Sequence, residues 1–233
     1  MTEAEIRDLL VTHLAKTRQG NNAAFIAEMF LDGFSRRADL IMANGKLSAF
    51  EIKSDRDSLD RLAGQLDTYS RFFEQVTVVC AERHLRKVQT LATQGVGIWA
   101  VAENGSFAVV RQAQTQEMHS HANWLSFLPV DELKEFLRVR RLKATGSRHD
   151  LMQFAEQASL KAVREYVLSY LKRRDLRIAA LAKKRIERRG KARQHASLPV
   201  QTPADIFAHT LSAGGAIPRL KRQSSPPSSR SSS

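Results

Sequence analysis

Two acids and a lysine stand out between residues 37 and 53, because each interrupts an apolar run. Asp39 breaks one run; Glu51 and Lys53 break the next. Side chains alternate along a strand, so Glu51 and Lys53 share one face while Phe50 and Ile52 take the other. Asn44-Gly45, between the runs, is a hairpin signal. A strict two-residue turn there pairs residue 39 with 50, the wrong face for joint work with Glu51. A three-residue loop, Ala43 to Gly45 with Gly45 left-handed, pairs 42 with 46 and 37 with 51. Asp39 then lies diagonal to Glu51 on one face, and this is the expected register. Converging carboxylates repel unless a cation sits between them, and oxygen ligands suit Mg²⁺, which completes its shell with water and substrate phosphate. A lysine two residues after the glutamate positions or deprotonates the attacking water. The chemistry is metal-assisted phosphodiester hydrolysis.

The elements that must position these groups follow from periodicity. Helical spacing of Ile6, Leu9, Leu10 and Leu14 predicts a helix over 3–18, followed by strands at 24–31, 38–43 and 47–54. Leu59, Leu62, Leu66, Tyr69 and Phe73 give the apolar stripe of a long helix over 56–74. A buried strand at 76–80, a helix at 84–94 and strands at 97–102 and 106–110 complete the order αβββαβαββ. This reads as one α/β domain on a mixed central sheet flanked by helices. The pattern then breaks, and 113–127 reads as a polar linker. Helical spacing returns at 131–139, 148–157 and 159–190; the tail, 194–233, holds five of the six prolines and reads as disordered.

The Asp39…Glu51-Ile52-Lys53 pattern on adjacent strands resembles the PD-(D/E)xK nuclease superfamily. Gln65 and Tyr69 at i, i+4 on the next helix resemble the Q-x-x-x-Y signature of its exonuclease-like members. The likeness covers about residues 1–112 and extends to small bacterial members with an R-A-D…E-I-K-S-D…Q…Y signature. It implies a restriction-endonuclease-like core in which Asp39 and Glu51 bind Mg²⁺ or Mn²⁺ and Lys53 serves the water. It also assigns Gln65 and Tyr69 to the catalytic set, Ile52 to the metal, and an upstream acid as a further ligand. Glu28 suits that place best, with Glu3 or Glu5 as alternatives. Ala38 stands before Asp39 where the superfamily pattern has proline. Arg37 either steadies a carboxylate or contacts phosphate. Arg56 and Arg61 are helix charges within reach of substrate. Cys80 reads as an inert strand residue and the His119/His121 pair as noise.

Charge divides the chain. The formal net charge is +13, yet residues 1–112 hold 14 basic and 14 acidic residues, so the whole excess falls on 113–233. Between residues 172 and 193 there are 11 basic residues against Asp175 and Glu187. Such a run suits a polyanion or a protein partner better than a membrane. Residues 128–154 resemble the SAP module, a small DNA-binding helical pair, through Val130, Glu132, Leu133, Lys134, Leu137, Leu142, Gly146 and Leu151. The likeness implies phosphate contacts from Arg140, Arg141, Lys143, Ser147 and Arg148. SAP units usually carry glycine where this chain has Arg141.

One Cys excludes an internal disulfide framework, and no apolar run approaches the about 20 residues that span a bilayer. The sequence is therefore expected to encode a cytoplasmic, nucleoid-associated, Mg²⁺-dependent deoxyribonuclease. Its expected parts are a core at 1–112, a linker at 113–127, a basic DNA-binding extension at 128–193 and a tail. The alternative is a non-catalytic nucleic-acid-binding protein that retains the nuclease fold. Oligomeric state is not encoded in these patterns.

Overall fold

Apolar alternation becomes six strands, and the expected order αβββαβαββ holds through residue 111. The structure, a computed structural model, describes residues 1–31 and 36–177. Its elements are α1 (Glu3–Ala15), β1 (Ala24–Leu31), β2 (Arg36–Ala43), β3 (Leu47–Lys53), α2 (Leu62–Phe72) and β4 (Gln75–Ala81). There follow α3 (Leu85–Leu91), β5 (Gly97–Val101), β6 (Phe107–Arg111), α4 (His121–Ser126), α5 (Val130–Val139) and α6 (Arg148–Ala155). A last helix, α7, covers 160–177. Among the described residues no helix is long and apolar enough to cross a membrane.

The strands lie in sequence order, β1 to β6. β1, β2 and β3 are antiparallel, β3, β4 and β5 parallel, and β6 returns antiparallel on β5. Parallel neighbours need a crossover, and α2 and α3 supply the two. One sheet face packs on α1 through Ile6, Leu10, Leu14, Leu40, Met42, Phe50 and Ile52. The other carries Ile41, Ala43, Leu47, Ala49, Val76 and Val78, covered by Leu62, Leu66, Tyr69 and Phe73. With both faces covered, every residue of β3 is buried. The mixed α/β class read from the sequence is the observed one.

Three expectations are corrected. The hairpin pairs Ala43 with Leu47 and Leu40 with Phe50, so its loop is Asn44 to Lys46, one residue later than expected. Gly45 does take the left-handed conformation, at φ +69°, and Asn44 N–H donates to the Lys46 carbonyl at 3.0 Å. The helix expected over 56–74 begins at Leu62. Asp57 Oδ2 accepts from Ser54 N–H at 2.7 Å and from Ser54 Oγ at 2.6 Å. Such side-chain bonds compete with the helical ladder and hold this stretch as a turn.

The expected linker is instead structure. Gln116 Nε2 donates to the carbonyls of Ser70 and Phe73, while Trp124 and Leu125 of α4 are buried. Leu133, Phe136, Leu151, Val163, Val167 and Leu171 belong to the same apolar cluster as Leu66 and Tyr69. The helices after residue 112 are therefore the outer layer of one core, and the described residues fall within one compact unit. α7 is also pinned to the hairpin. Buried Glu74 accepts from Leu47 N–H at 2.8 Å and from Arg164 Nε at 2.8 Å. Arg164 Nη2 also donates to the Gly45 carbonyl, and Lys172 Nζ donates to Asn44 Oδ1 at 2.8 Å. The basic run beyond residue 177 and the expected disordered tail lie outside the described residues.

Candidate active site

β2 and β3 bring Asp39, Glu51 and Lys53 to one open cavity of about 340 Å³. The observed register, carried one step past Leu40 and Phe50, sets Asp39 opposite Glu51 rather than diagonal to it. The shared face was expected; the one-residue loop shift brings the acids closer than expected. The site lies at the carboxyl end of β3, beside its parallel neighbour β4, where open α/β sheets leave a crevice.

Each group is held. Asp39 Oδ2 accepts from Ile52 N–H at 2.8 Å, which locks its carboxylate to the neighbouring strand. Lys53 Nζ stands 2.7 Å from Glu51 Oε1 and donates to Gln65 Oε1 at 3.1 Å. The Tyr69 hydroxyl lies 2.7 Å from both Glu51 Oε2 and the Arg37 carbonyl oxygen, so its single proton is shared between two acceptors. Gln65 and Tyr69, one turn apart on α2, thus each grip one member of the Glu51–Lys53 pair. Burial first, then the Glu51 charge, pushes the Asp39 carboxyl up to about 8; the Ile52 N–H opposes the shift. Burial and the same Glu51 charge raise the Tyr69 hydroxyl, so it stays protonated and able to donate.

A divalent cation fits this donor set. Glu51 Oε1 is buried and, the Lys53 ion pair apart, has no hydrogen-bond partner among the described residues. Ion-pair distance and hydrogen-bond geometry differ at this atom: the ammonium is close but not aligned on the oxygen. A cation between Asp39 and Glu51 would relieve the repulsion that raises Asp39. Among the described residues no group of three or more His, Cys, Asp or Glu could hold a metal ion. Asp39 and Glu51 are a pair of carboxylates, within the one or two that Mg²⁺ takes when water and phosphate complete its shell. Ile52 lines the cavity but packs its side chain against α1, so only its backbone is available there.

Glu28 is placed elsewhere. Its carboxylate bridges Arg7 and Arg37 at 3.1 Å each, on a backbone with φ +55°. The upstream acid that lines the cavity is Glu3, at the start of α1, and its charge also raises Asp39. Glu5 is occupied in the capping box of α1 with Thr2. Arg37 and Arg61 line the cavity, whereas exposed Arg56 is not among the lining residues. Sequence reasoning missed Arg36 and Asp57, which also line it. Strand alternation sends one of two adjacent arginines away, but at the strand's mouth both Arg36 and Arg37 reach the cavity.

The second set of basic residues is divided by the structure. Arg140 lies 3.9 Å over the Phe136 ring and donates to the Ala162 carbonyl at 3.4 Å. Arg148 donates to the carbonyls of Leu128 and Ser126 at 2.7 and 3.2 Å. Ser147 caps α6 through a reciprocal box with Asp150. These three hold the helices together. Arg141 and Lys143 are exposed, the latter with its ammonium 5.0 Å from the Phe154 ring. Arg141 adopts φ +58°, and Leu142 N–H donates to the Leu137 carbonyl at 2.9 Å. This is a Schellman helix end whose left-handed position, normally glycine, is an arginine. Cys80 is buried in β4, and burial pushes its thiol up to about 11, as an inert residue requires. His119 pairs with Glu117 at 3.9 Å while His121 contacts the Ala158 carbonyl at 2.9 Å, so the two serve separate local contacts.

Comparison with known proteins adds a lineage. The model of the family described as bacteriophage P4 protein cII matches residues 1–194. Protein cII of Enterobacteria phage P4 is 36% identical over 179 residues, which cover 75% of this chain and 68% of that protein. The SPO1766 protein of unknown function from Silicibacter pomeroyi aligns structurally over 63% of this chain and 90% of its own, with TM-score 0.38 and 15% identity.

Proposed function

For this chain, which belongs to the bacteriophage P4 protein cII family, we propose metal-dependent hydrolysis of DNA phosphodiester bonds in a core of the restriction-endonuclease type. The observation that carries the reading is the presence of Asp39, Glu51 and Lys53 on the wall of one open cavity. Asp39 and Glu51 would hold Mg²⁺ or Mn²⁺. Bound there, the metal would supply a Lewis acid for the phosphoryl oxygen and lower the pKa of the attacking water.

The chain's own residues do the rest. Lys53, held by Glu51 and Gln65, would orient that water as an ammonium or, after losing a proton to solvent, accept the water's proton as the neutral amine. Tyr69 fixes the second oxygen of Glu51 and so keeps the first turned to the cavity. Arg36, Arg37 and Arg61 present cations to the phosphates on either side of the scissile bond. Arg141 and Lys143 extend this basic surface on the helical layer, in keeping with the SAP likeness. Cytoplasmic action on DNA is part of the same proposal.

The deciding experiment incubates the purified chain with linear, nicked, circular and branched DNA, and with RNA, with Mg²⁺ or Mn²⁺. Metal-dependent cleavage of DNA is expected, reduced at least about 100-fold in Lys53→Ala, within the range of a lost acid–base group. Equal behaviour of the two chains, with no cleavage on any substrate, would leave a DNA-binding protein with the nuclease fold.

A further inference from the structure

The cavity holding the acids has a neighbour. A second cavity, of about 490 Å³, is lined chiefly by apolar groups, among them Phe30, Phe127, Leu128, Met152 and Tyr170, together with Arg174. Its volume lies in the range of small-molecule sites, about 300–1,000 Å³. Phe30 lines both cavities, so the apolar space adjoins the one that holds Asp39, Glu51 and Lys53. Phe30, on β1, is 53% exposed at this boundary. Arg174 adds a second signal. Its Nη1 is buried with no hydrogen-bond partner among the described residues, a donor whose desolvation is uncompensated until an acceptor arrives.

These two spaces match the two halves of a nucleotide. A nucleobase is flat, apolar on its faces and rimmed with acceptors; the phosphodiester next to it is anionic. Aromatic and apolar walls with one unsatisfied guanidinium suit the first, and the arginine-lined cavity beyond Phe30 suits the second. In a duplex the bases are stacked and paired, so only an unpaired base can enter such a space. We propose that the apolar cavity receives an unpaired base of the DNA strand whose phosphodiester lies in the neighbouring cavity. The substrate is then a single strand or an unpaired end, not an intact duplex. The placement of the scissile phosphate rests on the nuclease reading; the base cavity rests on its own lining.

The test uses the full chain carrying Lys53→Ala in metal-free buffer, so that binding is read without cleavage. Its probes are a single-stranded oligonucleotide, a blunt duplex and a duplex with an unpaired tail, each containing 2-aminopurine, whose fluorescence is quenched on stacking. The single strand and the tailed duplex are expected to bind more tightly than the blunt duplex, with quenching. Adding Phe30→Ala weakens them at least about fivefold, the smaller end of a lost base–aromatic stack, and removes the quenching. Phe30→Trp retains both, and Met152→Trp, which fills the cavity, weakens binding again. Equal affinity for the blunt duplex, or indifference to both Phe30→Ala and Met152→Trp, overturns the proposal. A cleavage assay with Lys53 restored separates the two readings. Single-strand binding that responds to Phe30, without cleavage, keeps the base cavity and ends the nuclease reading. Cleavage that is equal on duplex and single strand and indifferent to Phe30→Ala does the reverse.

Discussion

Asp39 combines two unfavourable circumstances, burial and a like charge, and its proton is the response. The folded chain holds that proton up to about pH 8, whereas an unfolded chain releases it near the ordinary aspartate value of 3.8. Folding therefore binds a proton between these values. The associated stability is fully present below the lower value and is lost as pH rises through the upper one. Asp39→Asn stays neutral throughout, so its stability relative to the parent in metal-free buffer is expected to rise between about pH 4 and 8. Urea denaturation at about pH 5 and pH 9 measures this; a constant difference would show that Asp39 ionises normally. On the proposed nuclease reading, the same substitution is expected to abolish metal-dependent cleavage. Arg141 presents a different cost. A non-glycine residue in the left-handed region is disfavoured by about 1–2 kcal/mol. Arg141→Gly, partly offset by its freer unfolded chain, is expected to stabilise the protein by about 0.5–1 kcal/mol in thermal unfolding. If the guanidinium meets phosphate, the slope of log affinity against log salt falls by about one.

At the level of elements, the β2–β3 hairpin carries Asp39, Glu51 and Lys53, and α7 holds its turn. Arg164→Ala leaves the buried Glu74 carboxylate with only the Leu47 N–H among the described residues, and is expected to cost about 1.5–3 kcal/mol in chemical denaturation. Arg164→Lys recovers little of this, because one ammonium cannot reproduce a planar fork reaching Glu74 and Gly45. The hairpin also shows what was legible beforehand. Alternation placed Glu51 and Lys53 on one face, and Asn44-Gly45 located the turn. The exact register escaped by one residue, since Asn44 bonds across the loop to Lys46 and both loop placements leave Asp39 on the correct face. Gln65 and Tyr69 were legible only through family likeness; an apolar stripe explains Tyr69 equally well until its hydroxyl is seen on Glu51. Glu28 was misplaced because a strand position does not disclose that Arg7 and Arg37 lie on either side of it. The carbonyl contacts of two of the expected phosphate-binding arginines were not legible. Arg140 and Arg148 look the same in sequence as exposed arginines, yet both are spent on backbone carbonyls.

Across the whole molecule, the charge division and the core division do not coincide. Charge balance changes after residue 112, but the apolar core runs through to Leu171. A chain ending at residue 127 loses Leu133, Phe136, Leu137, Leu151, Val163, Val167 and Leu171 from that core. At about 1.5–3 kcal/mol for each buried side chain, the loss of about 10–21 kcal/mol is as large as the 5–15 kcal/mol by which a whole domain is typically stable. Such a fragment is expected to show no cooperative thermal transition; a cooperative one would mean that the sheet and its first four helices are self-sufficient. The shared core also sets a timetable. Asp39, Glu51 and Lys53 leave the ribosome early, but the layer that steadies their sheet is complete only when Leu171 has followed. At about 5–20 residues per second the interval is roughly 6–24 s. Throughout it the nascent chain displays its acids without the packed scaffold that fixes their geometry, so the site matures with the end of the fold and not with its own synthesis.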